Sequence, residues 1–359
     1  MATETKIQKS GFESKADMPA AAPPHKSMRN PALDFTKGAL VLIMVLYHWI
    51  NYFIGPQWGY YDYLRFLTPS FIFITGFMVS NIYLSKYAAA DPRLWKRLLT
   101  RGLKLLAIFV GLNAARFVVI PILGTAKMAQ NPLDSSNLFA AFVSGNLPVV
   151  GGKLVAFSIL VPIGYLLMLS GLLMLAYRFY RYTFQFACGL LLVAILALGL
   201  AGLRSPNLEL VTIGMIGLLG GFVPIATVND WVRHPYALAI AYLAYLFAIT
   251  LWGIPFLFLL SGVVLSVMII YLVGTGGSTS NPVRSKTNLL GKYSLFGYIS
   301  QIAILQILTA VFHRVDIGSA VLAVSFLSVF ALTVASVDLL DRARPRSAIV
   351  DGVYKAVFA

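Results

Sequence analysis

Apolar residues in this chain gather into long unbroken runs rather than alternating along strands. A helix needs about 20 apolar residues to cross a bilayer core, with a range of about 17–25. About ten runs reach that length. They are Gly38–Ile54, Phe66–Leu84, Gly102–Leu123, Leu154–Tyr177, Thr183–Ala201, Leu210–Val228, Pro235–Leu251, Ile254–Val273, Ser294–Phe312 and Ser319–Leu340. Two of them almost touch at Trp252–Pro255, and Asn137–Val150 is apolar but short enough to read as a re-entrant or interfacial piece. The pattern predicts an all-α, polytopic transmembrane bundle over residues 31–346, flanked by a polar tail at 1–30 and a tail at 347–359.

The charges between the runs give the predicted bundle a direction. If the N-terminus is cytoplasmic, the basic clusters at Lys6–Lys37, Lys86–Lys104, Arg178–Arg181, Arg233, Arg284–Lys292 and Arg342–Lys355 share its side. The other side receives only Arg65, Lys127, Lys153, Arg204 and Arg314. That asymmetry follows the positive-inside rule for an even number of spans with both tails cytoplasmic. The first 30 residues lack the apolar core of a cleaved signal peptide and read as a disordered tail.

Composition agrees with lipid burial: 59% of residues are hydrophobic and 11% charged, against about 25% charged in a soluble domain. The net charge of +15 sits in short clusters between apolar runs, which argues for membrane orientation and against nucleic acid as partner. A single cysteine, Cys188, excludes an intramolecular disulfide and a cysteine-based metal cage. The histidines show no metal spacing, and no glycine-rich phosphate loop leads into Lys-Ser/Thr.

Polar residues inside spans are costly and face a protein interior or a cavity. His48 lies about ten residues, or ~15 Å, inside the first span. Lys37 stands at the start of that span, and their separation is close to three helical turns, so both share one face. Asp34 is one turn before Lys37. A histidine bonded to a neighbouring helix and a pair of interface anchors are the structural alternatives.

The segment Leu33-Asp34-Phe35-Thr36-Lys37-Gly38 followed by Tyr47-His48 resembles the opening of the membrane acyltransferase 3 superfamily, with its Leu-Asp-x-x-Arg/Lys-Gly segment and Arg/Lys-x10-His motif. Three further stretches are similar to that family: Pro69-Ser70-Phe71-Ile72-Phe73-Ile74-Thr75-Gly76-Phe77, the basic cluster Lys96-Arg97, Arg101 and Lys104, and Gly291-Lys292-Tyr293-Ser294-Leu295-Phe296-Gly297-Tyr298. The likeness runs with gaps from Leu33 to Arg346. It implies an integral membrane O-acyltransferase of a prokaryotic inner membrane. Such an enzyme passes an acyl group from cytoplasmic acyl-CoA, a co-substrate rather than a bound cofactor, to a hydroxyl of a carbohydrate or envelope acceptor.

In that reading His48 is the general base or relay, a role suited to a group that titrates near neutrality. Lys37, Arg97, Arg101 and Lys104 are candidates for the phosphates of acyl-CoA, with plain orientation signalling as the alternative. Asp34, Arg116, Trp58, Tyr298 and Gln301 are candidates for the cavity or the acceptor side. The sequence departs from the family at two places. Gln301 occupies a position where the late helix often carries histidine, and Phe157-Ser158-Ile159-Leu160-Val161-Pro162 lacks the glutamate of a mid-chain Trp-Ser-x-x-x-Glu segment. A divergent branch like the periplasmic glucan succinyltransferases and a catalytically silent homologue both fit those departures. A transporter or flippase is the remaining class, although no internal repeat of the His48 region supports it.

Arg116 lies within the third span, where an unpaired guanidinium costs at least ~2.5–3.5 kcal/mol. It either binds an acceptor oxygen or an acyl carboxylate in the same cavity as His48, or snorkels to the interface. Trp58, Tyr60, Tyr61 and Tyr63 form a loop that either stacks on a sugar or belongs to the interfacial aromatic belt. Gly214, Gly217, Gly220 and Gly221 predict close helix packing, or a ligand groove.

Overall fold

A computed structural model describes residues 30–55, 62–84, 92–122, 135–145, 156–276, 281–312, 318 and 320–358, and no strand occurs among them. The helices are α1 (Pro31–Trp49), α2 (Leu67–Met78), α3 (Pro92–Ile122), α4 (Ser135–Val143), α5 (Leu160–Tyr177), α6 (Thr183–Leu200) and α7 (Pro206–Gly220). They continue as α8 (Ile225–Val232), α9 (Pro235–Trp252), α10 (Phe256–Thr275), α11 (Pro282–Lys292), α12 (Ser294–Phe312), α13 (Ala320–Ala343) and α14 (Ala348–Phe358). Wide π-helical turns extend α1 through Ile50–Ile54 and α2 through Val79–Leu84.

Among the described residues, nine helices are long and apolar enough to span a bilayer, or ten if the bent pair α7–α8 is one span. The chain is an integral membrane protein with an all-α polytopic bundle. Apolar faces of the outer helices confirm which solvent they meet. Phe186, Leu190 and Val193 on α6, and Ile240, Leu243 and Phe247 on α9, are all exposed from the protein. Within a bilayer this surface costs nothing, because it meets apolar lipid chains rather than water, and each helix satisfies its own backbone polar groups.

One predicted span is broken. The run Leu210–Val228 divides into α7 and α8, which turn by 101°. Gly220 and Gly221 end the first helix, and Pro224, which has no N–H to donate, stands in an extended conformation before the second. The close-packing reading of the glycines nearby holds at Gly214, Gly217 and Gly221 but not at Gly220, where an added Cβ would meet only Phe73 Cζ at 4.0 Å. A Cβ on Gly217 would lie 2.1 Å from the Phe73 carbonyl oxygen of α2, and one on Gly76 would lie 1.9 Å from that of Gly214. The short run at Asn137–Val150 is represented by α4, tied to its neighbours by Tyr165 Oη donating to Phe142 O at 2.8 Å and Asn207 Nδ2 to Ala141 O at 2.7 Å.

Helix α1 sits at the centre, against α2, α10, α11, α12 and α13. Its start is well specified: Asn30 accepts from the amides of Ala32 (2.9 Å) and Leu33 (3.3 Å), Pro31 occupies the first turn, and Asn30 Nδ2 donates to Tyr271 Oη on α10 at 3.1 Å. Helix α11 comes from a stretch that reads as a loop, because its polar face carries Arg284 and Lys286. It crosses α1 backbone to backbone. A Cβ on Gly38 would lie 1.8 Å from Thr287 O, and one on Gly291 would lie 1.7 Å from Asp34 O. The segment after residue 347 forms α14, whose Tyr354 and Phe358 pack against Tyr293 and Phe296.

Candidate active site

His48 lies at the last turn of α1, just before the π-helical turn Ile50–Ile54. Such wide turns recur at functional positions because they re-aim the side chains that follow. The imidazole Nε2 is buried. Its ring is edge-on to Tyr47 at 5.2 Å and meets Tyr298 of α12 at 6.3 Å.

Tyr298 links His48 to open space. It lines a cavity of about 200 Å³ between α2, α3, α5, α12 and α14. Arg101, Lys104, Ser294 and Phe358 form one end, and Ile159, Leu160 and Tyr298 the deeper part, with walls of Phe71, Leu105, Ile163, Leu167 and Leu295. The chamber is therefore apolar along most of its length and cationic at the end near the start of α12. Arg101 is steadied there by the face of Tyr83, 5.3 Å away.

Phe157, which the sequence marked only as the start of the segment lacking the glutamate, also packs on Tyr298. Phe157 has φ of 60°, the left-handed region that a bulky side chain rarely adopts. Its ring packs edge-on to Tyr298 at 6.1 Å. The turn is held by Asn113, fully buried on α3, which donates to Ala156 O at 3.0 Å and accepts from Ala156 N at 3.1 Å. No local pattern announces that conformation. The only signal is a buried asparagine within an apolar span, which needs partners.

The sequence candidates divide between several places. Arg101, Lys104 and Tyr298 come together on the cavity, with His48 one ring contact behind Tyr298. Lys37 and Asp34 form a largely buried ion pair at 2.8 Å, beside the α1–α11 crossing and off the cavity lining. Arg97 lies on the exposed side of α3, also off the lining. Arg116 lies towards the far end of α3, its Nε buried, within electrostatic reach of Tyr52 one turn beyond His48. Gln301 is fully buried on α12, one turn beyond Tyr298. Trp58, with Tyr60 and Tyr61, lies outside the described residues, while Tyr63 pairs with Thr250 at 2.8 Å.

The end of the bundle that holds Lys37 and the cationic end of the cavity also gathers a polar network. Lys292 and Tyr293 Oη donate to Asp341 at 2.7 and 2.6 Å, and Arg344 reaches Tyr293 Oη at 3.2 Å and Asp351 at 2.7 Å. Asp351 also pairs with Lys355. The Arg344 guanidinium lies 4.0 Å from the Tyr354 ring centroid. These contacts fasten α14 beside the cavity, where Val357 and Phe358 form part of the lining.

Comparison with known families finds a match over part of the chain. Residues 29–124 match the family described as heparan-α-glucosaminide N-acetyltransferase, catalytic. No curated protein and no solved structure matches the chain. The matched stretch is about a quarter of the chain and holds Asp34, Lys37, His48, Arg101, Lys104 and Arg116. It makes this part of the chain similar to a membrane acyltransferase-type family.

Proposed function

We propose that this protein is an acyl-CoA-dependent membrane acyltransferase of the acyltransferase 3 type, with a carbohydrate as acceptor and His48 as general base. One observation carries the reading: Tyr298 both lines the cavity and contacts the His48 ring. A donor that entered past Arg101 and Lys104 would leave its phosphates at the cations and run its pantetheine arm along the apolar walls. Its thioester would arrive beside Tyr298, within reach of the imidazole. The family match supports the reaction class, since the matched family is named for acetyl transfer to a glucosaminide nitrogen.

The chemistry then needs few groups. His48 removes the proton as an acceptor hydroxyl attacks the thioester carbonyl, the tetrahedral intermediate collapses, the carbon–sulfur bond breaks, and the imidazolium returns the proton to the departing thiolate. One histidine serves as base and then acid, so a second titrating group at position 301 is not required. A base of this kind contributes about 10²–10⁴-fold. The basic end of the bundle is cytoplasmic in this proposal, which brings the cationic end of the cavity to the acyl-CoA pool of a prokaryotic cell.

The test uses purified full-length protein, radiolabelled acetyl-CoA or succinyl-CoA, and a glycan extract, with glucose and glucosamine as defined acceptors. Transfer by the wild type and loss of at least about 100-fold in His48→Ala is the expected result. Equal transfer by both proteins overturns the base assignment. Absence of transfer with movement of a sugar across vesicles replaces the reading with transport, and absence of both leaves a silent homologue.

A further inference from the structure

We infer that Gln301 anchors an acceptor subsite that takes neighbouring hydroxyls of a neutral sugar ring, on the side of His48 away from the cavity. The inference rests on the acyl-transfer reading above. Gln301 is 0% exposed, and neither its amide oxygen nor its amide nitrogen has a hydrogen-bond partner among the described residues. A buried amide without partners carries the full desolvation penalty of both groups. Retaining one in an apolar span, where leucine would fit the surroundings, points to a partner that arrives from outside the protein.

The neighbourhood gives that partner a chemistry. Gln301 follows Tyr298 by one turn on α12, so the two share a face. Tyr298 in turn lies within electrostatic reach of Tyr52, and Tyr52 faces the Gln306 amide and the Arg116 guanidinium. Polar side chains thus continue from Tyr298 and His48 towards the end of the bundle opposite Lys37. An amide both donates and accepts, and adjacent sugar hydroxyls do the same, so one Gln301 side chain can accept from one hydroxyl while donating to the next. Two tyrosine rings add apolar surface of the kind that sugar faces cover. This arrangement also explains a glutamine where acid–base chemistry would use histidine: its work is recognition.

The experiment compares Gln301→Leu and Gln301→Met with the wild type in detergent, reading thermal unfolding with and without glucose, glucosamine or succinate, then acceptor and donor KM with acetyl-CoA. Removing an unpartnered amide should raise the melting temperature of the ligand-free protein. It should also abolish stabilisation by the sugars and raise acceptor KM about tenfold or more, with donor KM unchanged. A lower melting temperature in both variants would mean that the amide braces the bundle, and would overturn the inference. So would sugar stabilisation that survives in the variants, stabilisation of the wild type by succinate alone, or no stabilisation of the wild type by any of the three. His48→Ala separates the two proposals. Sugar stabilisation that depends on Gln301 while His48→Ala still transfers acyl groups removes the base assignment and leaves the subsite standing.

Discussion

Phe157 holds a backbone conformation that costs about 1–3 kcal/mol for a residue with a side chain. The cost is met by the ring it delivers to Tyr298 and by the two hydrogen bonds from Asn113 to Ala156. Replacing Asn113 by leucine keeps the volume but leaves the Ala156 N–H and C=O without partners. That change should destabilise the protein by about 1–3 kcal/mol, read as thermal unfolding in detergent. It should also slow transfer, because Tyr298 loses its support. An unchanged melting temperature would mean that the turn stands without the asparagine. At this scale the sequence was only partly readable. His48 stood out because a polar group deep in an apolar run is visible in one dimension, and Tyr298 because its segment resembles a family motif. Phe157 did not, because a φ of 60° is imposed by a partner on another helix.

Elements were legible in proportion to their apolar length. Most long runs became helices with boundaries close to those predicted, Ser294–Phe312 residue for residue, but α1 starts at Pro31 rather than Gly38 and α3 at Pro92 rather than Gly102, because their first turns are polar. Helix α11 was hidden because it lies alongside α1 without being apolar all round, its place fixed by two glycines that allow backbone contact. The break between α7 and α8 was hidden by apolar residues on both sides of Gly220–Pro224. Helix α14 was masked by its charges, which are what dock it. The Lys355 ammonium and then the Arg344 guanidinium hold the Asp351 carboxyl below the ordinary carboxylate range. Lys355 lies one turn away on α14 itself and supports the helix, while Arg344 precedes it and ties it to the end of α13. A carboxyl lowered in this way stabilises the folded, docked helix above its unfolded pKa, near 3.9, and that contribution disappears as pH falls through the folded value. Amide protection factors in 348–358, which remove the pH dependence of intrinsic exchange, should therefore be high at neutral pH and fall in strong acid. Asp351→Asn should lower them at neutral pH and remove the acid step. Equal exchange in variant and wild type at neutral pH would show that the aromatic contacts alone hold the helix. Salt should weaken the difference, since these pairs are partly exposed.

Across the whole molecule, two kinds of surface divide the work. Apolar outer faces on α6 and α9 fit lipid, while Tyr298 of α12 and Arg116 of α3 meet His48 and Tyr52 of α1 and its π-helical extension. The cavity, His48 and the polar residues beyond it lie in sequence from the basic end of the bundle towards the opposite one. This arrangement would let donor and acceptor approach one imidazole from opposite sides, as transfer across a membrane requires. The general class was readable from composition and periodicity, because a membrane imposes the same demand on every span. The joining of Arg101 and Lys104 to Tyr298 and His48 was not, because it depends on how α3, α5 and α12 pack. The most direct test is an experimental structure of the protein with a non-hydrolysable thioether analogue of acetyl-CoA. The account predicts phosphates at Arg101 and Lys104 and the acyl carbon within about 4 Å of the space an attacking oxygen would occupy beside His48. An analogue seated elsewhere, or one whose acyl group is walled off from the imidazole by Tyr298, would contradict it.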